Sequence, residues 1–145
     1  MKIKSYLSQE RALSILIKNV KQEIDNVLLK KKNLENSIMK LQNSLDILLD
    51  EIENEQARSG QFIYFEFDKF FEVSKKRVSL LKEEIEKNKK ILNNLLAELH
   101  TKFSKQKKYE ILLEDLKVKI KHIHSTNEQN TLDEINSIQY VKVSS

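Results

Sequence analysis

The sequence predicts an all-α protein, a long two-helix antiparallel coiled-coil hairpin. Apolar residues recur along two long stretches at the alternating three- and four-residue spacing of a coiled-coil seam. The only glycine, Gly60, lies between the two stretches, and the chain has no proline to interrupt either of them. We therefore expect a helix at about 3–57, a turn at 58–61 and a second helix at about 62–124.

The first helix places its apolar residues at heptad positions a and d. The d positions are Tyr6, Leu13, Val20, Val27, Leu34, Leu41 and Leu48. The apolar a positions are Ile3, Ile17, Ile24, Ile38, Leu45 and Ile52. Because such a helix has one apolar edge, it needs a partner that covers this edge from water.

The second helix continues the same spacing after the glycine. Its a positions are Tyr64, Phe71, Val78, Ile85, Leu92, Leu99, Gln106, Leu113 and Ile120. Its d positions are Phe67, Ser74, Leu81, Asn88, Leu95, Lys102, Tyr109, Leu116 and Ile123. Two apolar edges joined by a short glycine-containing segment favour a chain that folds back on itself.

Folding back at Gly60 would pair Leu48 with Phe71 and Val27 with Leu92. The alternative is one unbent rod that dimerises in parallel, since a single glycine costs only about 1 kcal/mol inside a helix. The two arrangements differ in whether the apolar edges meet within one molecule or between two. The hairpin is the arrangement we favour.

Polar residues at seam positions are consistent with the hairpin register. Lys31 would face Asn88, and Glu10 would face Tyr109, whose hydroxyl group could donate to the carboxylate. Buried polar layers cost stability but can fix the register of a coiled coil. The register-setting residues are therefore predicted to be Glu10, Lys31 and Asn88.

Composition limits the kinds of function to be expected. The 145 residues suffice for one structural unit, and the absence of cysteine excludes disulfides and thiolate metal sites. His122 and His124 are two residues apart, which points them to different faces of a helix rather than to one metal ion. With no enclosed pocket expected, we predict no enzymatic activity, no cofactor and no metal. The start of the chain shows neither a signal peptide nor a membrane span, so a cytoplasmic protein is expected.

Lysines cluster in the second half of the chain, although the net charge is only +4. Lys105, Lys107 and Lys108 form one such cluster. These residues either form the solvated outer face of a coiled coil or meet an acidic partner. Nucleic acid is not expected as the partner, because aromatic residues are not interleaved with the lysines.

Five of the six phenylalanines lie between Phe62 and Phe71. They either close the tip of the hairpin as an apolar plug or form an exposed patch for a partner. A tip that dips into a membrane is a third alternative, so membrane association is expected to be peripheral at most.

The heptads end after Ile123, and we expect residues 125–145 to form a flexible tail. Thr131 to Glu134 has the pattern of a capping box, which predicts a short helix in this tail. Leu132, Ile135 and Ile138 would line one face of it. Such a segment could fold only on binding.

Three elements in this order resemble a known family. The aromatic stretch 64–71 follows the turn, the Lys107–Glu114 segment is similar to a Lys-x-Leu-Glu-x-Leu-x-Glu pattern with Tyr109 in place of leucine, and Leu132 to Ile135 forms a Leu-Asp-Glu-hydrophobic element. With its predicted hairpin, the chain resembles the FliJ/YscO family of type III export stalk proteins. It departs from that family in having Asn136 in place of an alanine.

The resemblance implies a cytoplasmic stalk, located at the inner face of the cell membrane when assembled. Its partners would be the hexameric type III export ATPase, the cytoplasmic domain of the export gate and, in some members, export chaperones. The gate patch would comprise Tyr64, Phe67, Phe70 and Phe71; Ser74, which follows, is polar where the family is often apolar. The end that faces the ATPase would comprise Lys105, Lys107, Lys108, Tyr109, Glu110, Leu132, Asp133, Glu134 and Ile135.

The predicted function is a non-enzymatic coiled-coil stalk or chaperone of flagellar export, which couples the ATPase ring to the gate. One alternative is the corresponding protein of an injectisome. Another is a coiled-coil adaptor or homodimer unrelated to secretion. A prefoldin-like chaperone would need strands between its helices, for which the segment around Gly60 leaves little room.

Overall fold

The computed structural model of the protein describes the backbone of residues 2–58 and 64–144, and the side chains of residues 2–58 and 68–139. Two helices make up this part of the chain, α1 (Lys2–Ala57) and α2 (Tyr64–Ser144). They pack against each other, which confirms the all-α two-helix hairpin. The N–H of Arg58 donates to the carbonyl groups of Asn54 and Glu55, each at 3.2 Å, and so closes the last turn of α1. The predicted turn residues Ser59, Gly60 and Gln61 lie outside the described residues.

The chain divides into two compact units. Unit 1 consists of Met1–Ile24 and Lys102–Ser145, and unit 2 of Asp25–Thr101. The buried apolar side chains of unit 1 are Ile17, Val20, Ile24, Leu116 and Ile120. Those of unit 2 are Val27, Leu45, Leu48, Ile85 and Leu99. All ten of these buried side chains, taken from the described part of the chain, lie at the predicted a and d positions, so the heptad pattern identifies the described core of each unit.

The observed register differs from the predicted one by about one heptad. In unit 1, the carboxylate of Glu23 lies 3.1 Å from the ammonium group of Lys102. In unit 2, Leu48 lines a groove with Leu81 rather than with Phe71. A shift of seven residues again places apolar residues opposite apolar residues, so the a/d pattern alone does not distinguish the two registers.

The predicted polar layers belong to the register that is not observed. The ammonium group of Lys31 pairs instead with the carboxylate of Glu35, one turn along α1, at 3.0 Å. Asn88 and Glu10 are half-buried, in keeping with their seam positions. No hydrogen bond joins Lys31 to Asn88, or Glu10 to Tyr109, among the described side chains.

The aromatic segment also departs from the predicted seam. Phe71, predicted at a seam position, is 40% exposed, whereas the neighbouring Phe70 is half-buried. Ser74 is 3% exposed and Val78 is half-buried. The seam therefore runs through Phe70, Ser74 and Val78 at two successive four-residue spacings, a local change in heptad phase that turns Phe71 outwards.

The C-terminal segment is helical where a flexible tail with a short helix was predicted. Helix α2 continues to Ser144, and all described side chains from His124 to Gln139 are exposed. The hydroxyl group of Thr131 donates to the carbonyl oxygen of Asn127 at 2.9 Å, so Thr131 lies inside the helix rather than capping a new one. The segment contains no glycine or proline that would end the helix.

Candidate partner-binding surfaces

Phe71 lies in an open groove on one face of α2 in unit 2. The residues that line this aromatic groove are Asp68, Phe71, Glu72, Lys75, Lys76 and Ser79. Counted from Asp68 they lie at positions i, i+3, i+4, i+7, i+8 and i+11, so they share a helix face. Among the described lining residues, two carboxylates and two ammonium groups surround the ring of Phe71, so these residues make an amphipathic surface without net charge.

The structure places only part of the predicted aromatic patch. Phe71 is accessible, whereas Phe70 is half-buried and packs into the seam. The side chains of Tyr64 and Phe67 lie outside the described residues, as does Phe62. Their share in a plug or in a patch stays a prediction.

The lysine cluster of unit 1 is exposed and locally ordered. The ammonium group of Lys105 lies 5.9 Å from the centre of the Tyr109 ring, within the range of a cation–π contact. The amide of Gln106 donates to the carboxylate of Glu110 at 3.0 Å. Lys107 and Lys108 are exposed and line a shallow groove. The cluster therefore presents three cations from a well-defined stretch of α2.

The last part of α2 carries an exposed apolar row. Leu132, Ile135 and Ile138 are 54%, 45% and 59% exposed, and their three-residue spacing places them along one side of the helix. Asp133 accepts a hydrogen bond from the amide of Gln129 at 3.2 Å, and Glu134 is exposed. We call residues 124–139 the C-terminal extension. Its apolar row is available to a partner because α1 does not cover it.

The Glu23–Lys102 ion pair, a polar contact between the helices, was not predicted from the sequence. The Lys102 side chain is 22% exposed and that of Glu23 is 49% exposed. An ion pair this accessible contributes at most about 1 kcal/mol. The sequence does show a lysine, Lys102, at a d position of α2. Its partner Glu23 can be identified only when the register is known.

Nothing in the described part of the chain points to a metal or a membrane span. No group of three or more His, Asp or Glu side chains among the described residues could hold a metal ion. His100, His122 and His124 are exposed. None of the described helical segments is both long and apolar enough to cross a bilayer.

Comparison with known families decides which kind of protein this is. The family model described as "Flagellar FliJ protein" matches residues 10–145, nearly the whole chain. The chain belongs to the FliJ family. No curated protein and no solved structure matches it. The family resemblance seen in the sequence is thereby confirmed, and membership associates the chain with the flagellar export apparatus.

Proposed function

We propose that the chain is a non-enzymatic coiled-coil stalk of the flagellar type III export apparatus, which couples the export ATPase ring to the export gate. FliJ family membership over residues 10–145 carries the proposal. The two-helix hairpin supports it, because helices joined by a seam can transmit force or torque between two binding sites. In this proposal the protein acts in the cytoplasm, at the inner face of the cell membrane when assembled, and also serves export chaperones.

The end that faces the hexameric ATPase is proposed to lie in unit 1. Lys105, Lys107 and Lys108 present positive charge there, beside Tyr109 and Glu110. The C-terminal extension supplies the second part of this surface, with Leu132, Asp133, Glu134 and Ile135. A mixture of apolar and charged side chains is typical of a surface that binds another protein reversibly.

The contact with the cytoplasmic domain of the export gate is proposed to lie in the aromatic groove. Phe71 is the exposed ring of this groove, and aromatic side chains are frequent anchors of protein interfaces. Phe70 would contribute indirectly, because its packing in the seam holds α2 in the orientation that exposes Phe71. Tyr64 and Phe67 are proposed members of the same patch.

An ATPase assay tests the proposed coupling. The chain should stimulate ATP hydrolysis by the flagellar export ATPase and should be monomeric by light scattering. Replacing Lys105, Lys107 and Lys108 together with Glu should weaken ATPase binding by roughly tenfold at low salt, and the difference should shrink as salt screens the charges. The matched control is the triple replacement of Lys30, Lys32 and Lys40, exposed lysines of α1, which should leave binding unchanged.

A stable parallel dimer without effect on the ATPase would refute the proposal and support a generic coiled-coil adaptor. Equal losses of binding in the two triple variants would show that net charge, rather than the unit 1 surface, governs the interaction. Stimulation of an injectisome ATPase, with none of the flagellar one, would assign the chain to the other export system.

A further inference from the structure

Both helices contribute to an apolar groove on one side of unit 1. The residues that line this two-helix groove are Gln9, Ala12, Leu13 and Leu16 from α1 and Leu112, Asp115, Leu116 and Lys119 from α2. Each helix supplies residues at positions i, i+3, i+4 and i+7, which is the row of side chains that one helix presents to another. The groove thus has the form that receives a third helix.

The leucine side chains of this groove are more exposed at its walls than at its floor. Leu116 is 6% exposed and Leu13 is half-buried, and together they form the floor. Leu16 and Leu112 are 40% and 45% exposed and form the walls. Leu112 also lines the neighbouring groove with Ile111, which is 53% exposed, so the apolar surface continues around α2. A partner helix would remove these leucine side chains from water, and burial of apolar area favours binding.

The charges that border the leucines are mostly positive. Lys119 lines the two-helix groove, and Lys107 and Lys108 line the neighbouring one. All three lysines are exposed, and Asp115 is the one acidic residue among the described side chains that line these two grooves. Three ammonium groups against one carboxylate favour a partner with acidic side chains on either side of its apolar stripe.

We infer that the two-helix groove binds an amphipathic α-helix with acidic flanks that belongs to another protein. A second copy of this chain fits less well, because a symmetric contact through the groove would bring the same three lysines together from both sides. The inference does not rest on the proposed function, although Lys107 and Lys108 contribute to both surfaces. Its tests contain no ATPase, so either idea can fail without the other.

Binding of a designed peptide tests the inference on the full chain. The probe is a labelled helical peptide of about 20 residues with leucine at a and d positions and glutamate at e and g positions, which repel one another and keep the peptide monomeric at pH 7. Its counterpart has lysine in place of each glutamate. Fluorescence anisotropy should show binding of the acidic peptide, with an affinity at least tenfold higher than that of the basic one.

Matched variants then locate the site. The double variant Leu16→Gln/Leu112→Gln should lower the affinity for the acidic peptide at least tenfold. The control is Ile15→Gln/Val118→Gln, which replaces two apolar residues, each 60% exposed, outside the groove and should change the affinity less than twofold. Glutamine is nearly as good a helix former as leucine, so the helices should persist. Circular dichroism checks this.

A thiol-labelling experiment gives an answer that does not depend on removing a leucine. The chain has no cysteine, so Ala12→Cys introduces a single thiol in the groove and Ile15→Cys a single thiol outside it. Saturating acidic peptide should slow the reaction of the thiol at position 12 with a maleimide at least fivefold. The reaction at position 15 should keep its rate.

Several results would overturn the inference. These are no binding of the acidic peptide, equal binding of both peptides, equal loss in groove and control variants, or no protection of the thiol at position 12. If the unlabelled chain forms a dimer and the Leu16→Gln/Leu112→Gln variant is monomeric, the groove binds a second copy of the chain instead.

Discussion

At the scale of single residues, two isoleucines of α1 have opposite environments. Ile24 is 4% exposed and lies at an a position of the seam, whereas Ile15 is 60% exposed. The two residues have the same side chain and the same helix propensity, so any difference in their contribution to the free energy of unfolding comes from their heptad positions. The pair therefore measures what the seam contributes to stability.

Replacing Ile24 with Ala should lower the free energy of unfolding by roughly 2–4 kcal/mol, because it removes buried apolar volume. Ile15→Ala should change that free energy by no more than about 0.5 kcal/mol. Urea unfolding followed by circular dichroism measures both values. Similar costs for the two variants would mean that the seam does not pass through Ile24.

Phe70 and Phe71 provide a second pair, which separates binding from stability. Phe71→Ala should weaken binding to the cytoplasmic domain of the flagellar export gate at least fivefold and cost less than about 1 kcal/mol of stability, since the ring is 40% exposed. Phe70→Ala should cost more stability because Phe70 is half-buried in the seam. Calorimetric titration and thermal unfolding measure the two effects. A larger loss of stability for Phe71→Ala would favour the plug over the patch.

At the scale of elements, the helices were predictable and the end of α2 was not. Continuous heptads without proline indicated two helices, and the buried residues of both units lie at the predicted positions. After Ile123 the heptads stop, and this loss of an apolar edge predicts the end of the long helix. Helix α2 nevertheless continues to Ser144, through a segment that contains no glycine or proline to interrupt it. Side-chain hydrogen bonds at Thr131 and Asp133 also lie within it.

Deleting residues 125–145 should therefore leave the stability of the hairpin nearly unchanged. The described side chains of this segment, 125–139, are all exposed and add little to the packing of α1 on α2. We expect a change of at most about 0.5 kcal/mol in the free energy of unfolding, together with a loss of helical ellipticity. The full chain measured in parallel is the control. A drop of several kcal/mol would show that the segment packs on the rest of the protein.

At the scale of the whole molecule, the reversal of the chain followed from the sequence, but the register did not. Two apolar edges on either side of Gly60 indicated that α1 packs on α2. The registers related by a shift of seven residues satisfy those edges equally, and the polar residues Lys31 and Asn88 pointed to the wrong one. Lys31 forms its ion pair with Glu35 on the same helix, so it does not set the register by a polar layer with α2. The Glu23–Lys102 contact is what identifies the register in unit 1.

The distance between residues 23 and 102 within one molecule tests this account most directly. Nitroxide labels on Glu23→Cys/Lys102→Cys occupy the only thiols, because the chain has no other cysteine. Helices packed 8–10 Å apart should give a label distance of roughly 10–20 Å by pulsed electron paramagnetic resonance, unchanged when labelled chain is diluted tenfold with unlabelled chain. An unbent rod would separate the labels by about 120 Å. That long distance, or a short one that disappears on dilution, would contradict an intramolecular hairpin.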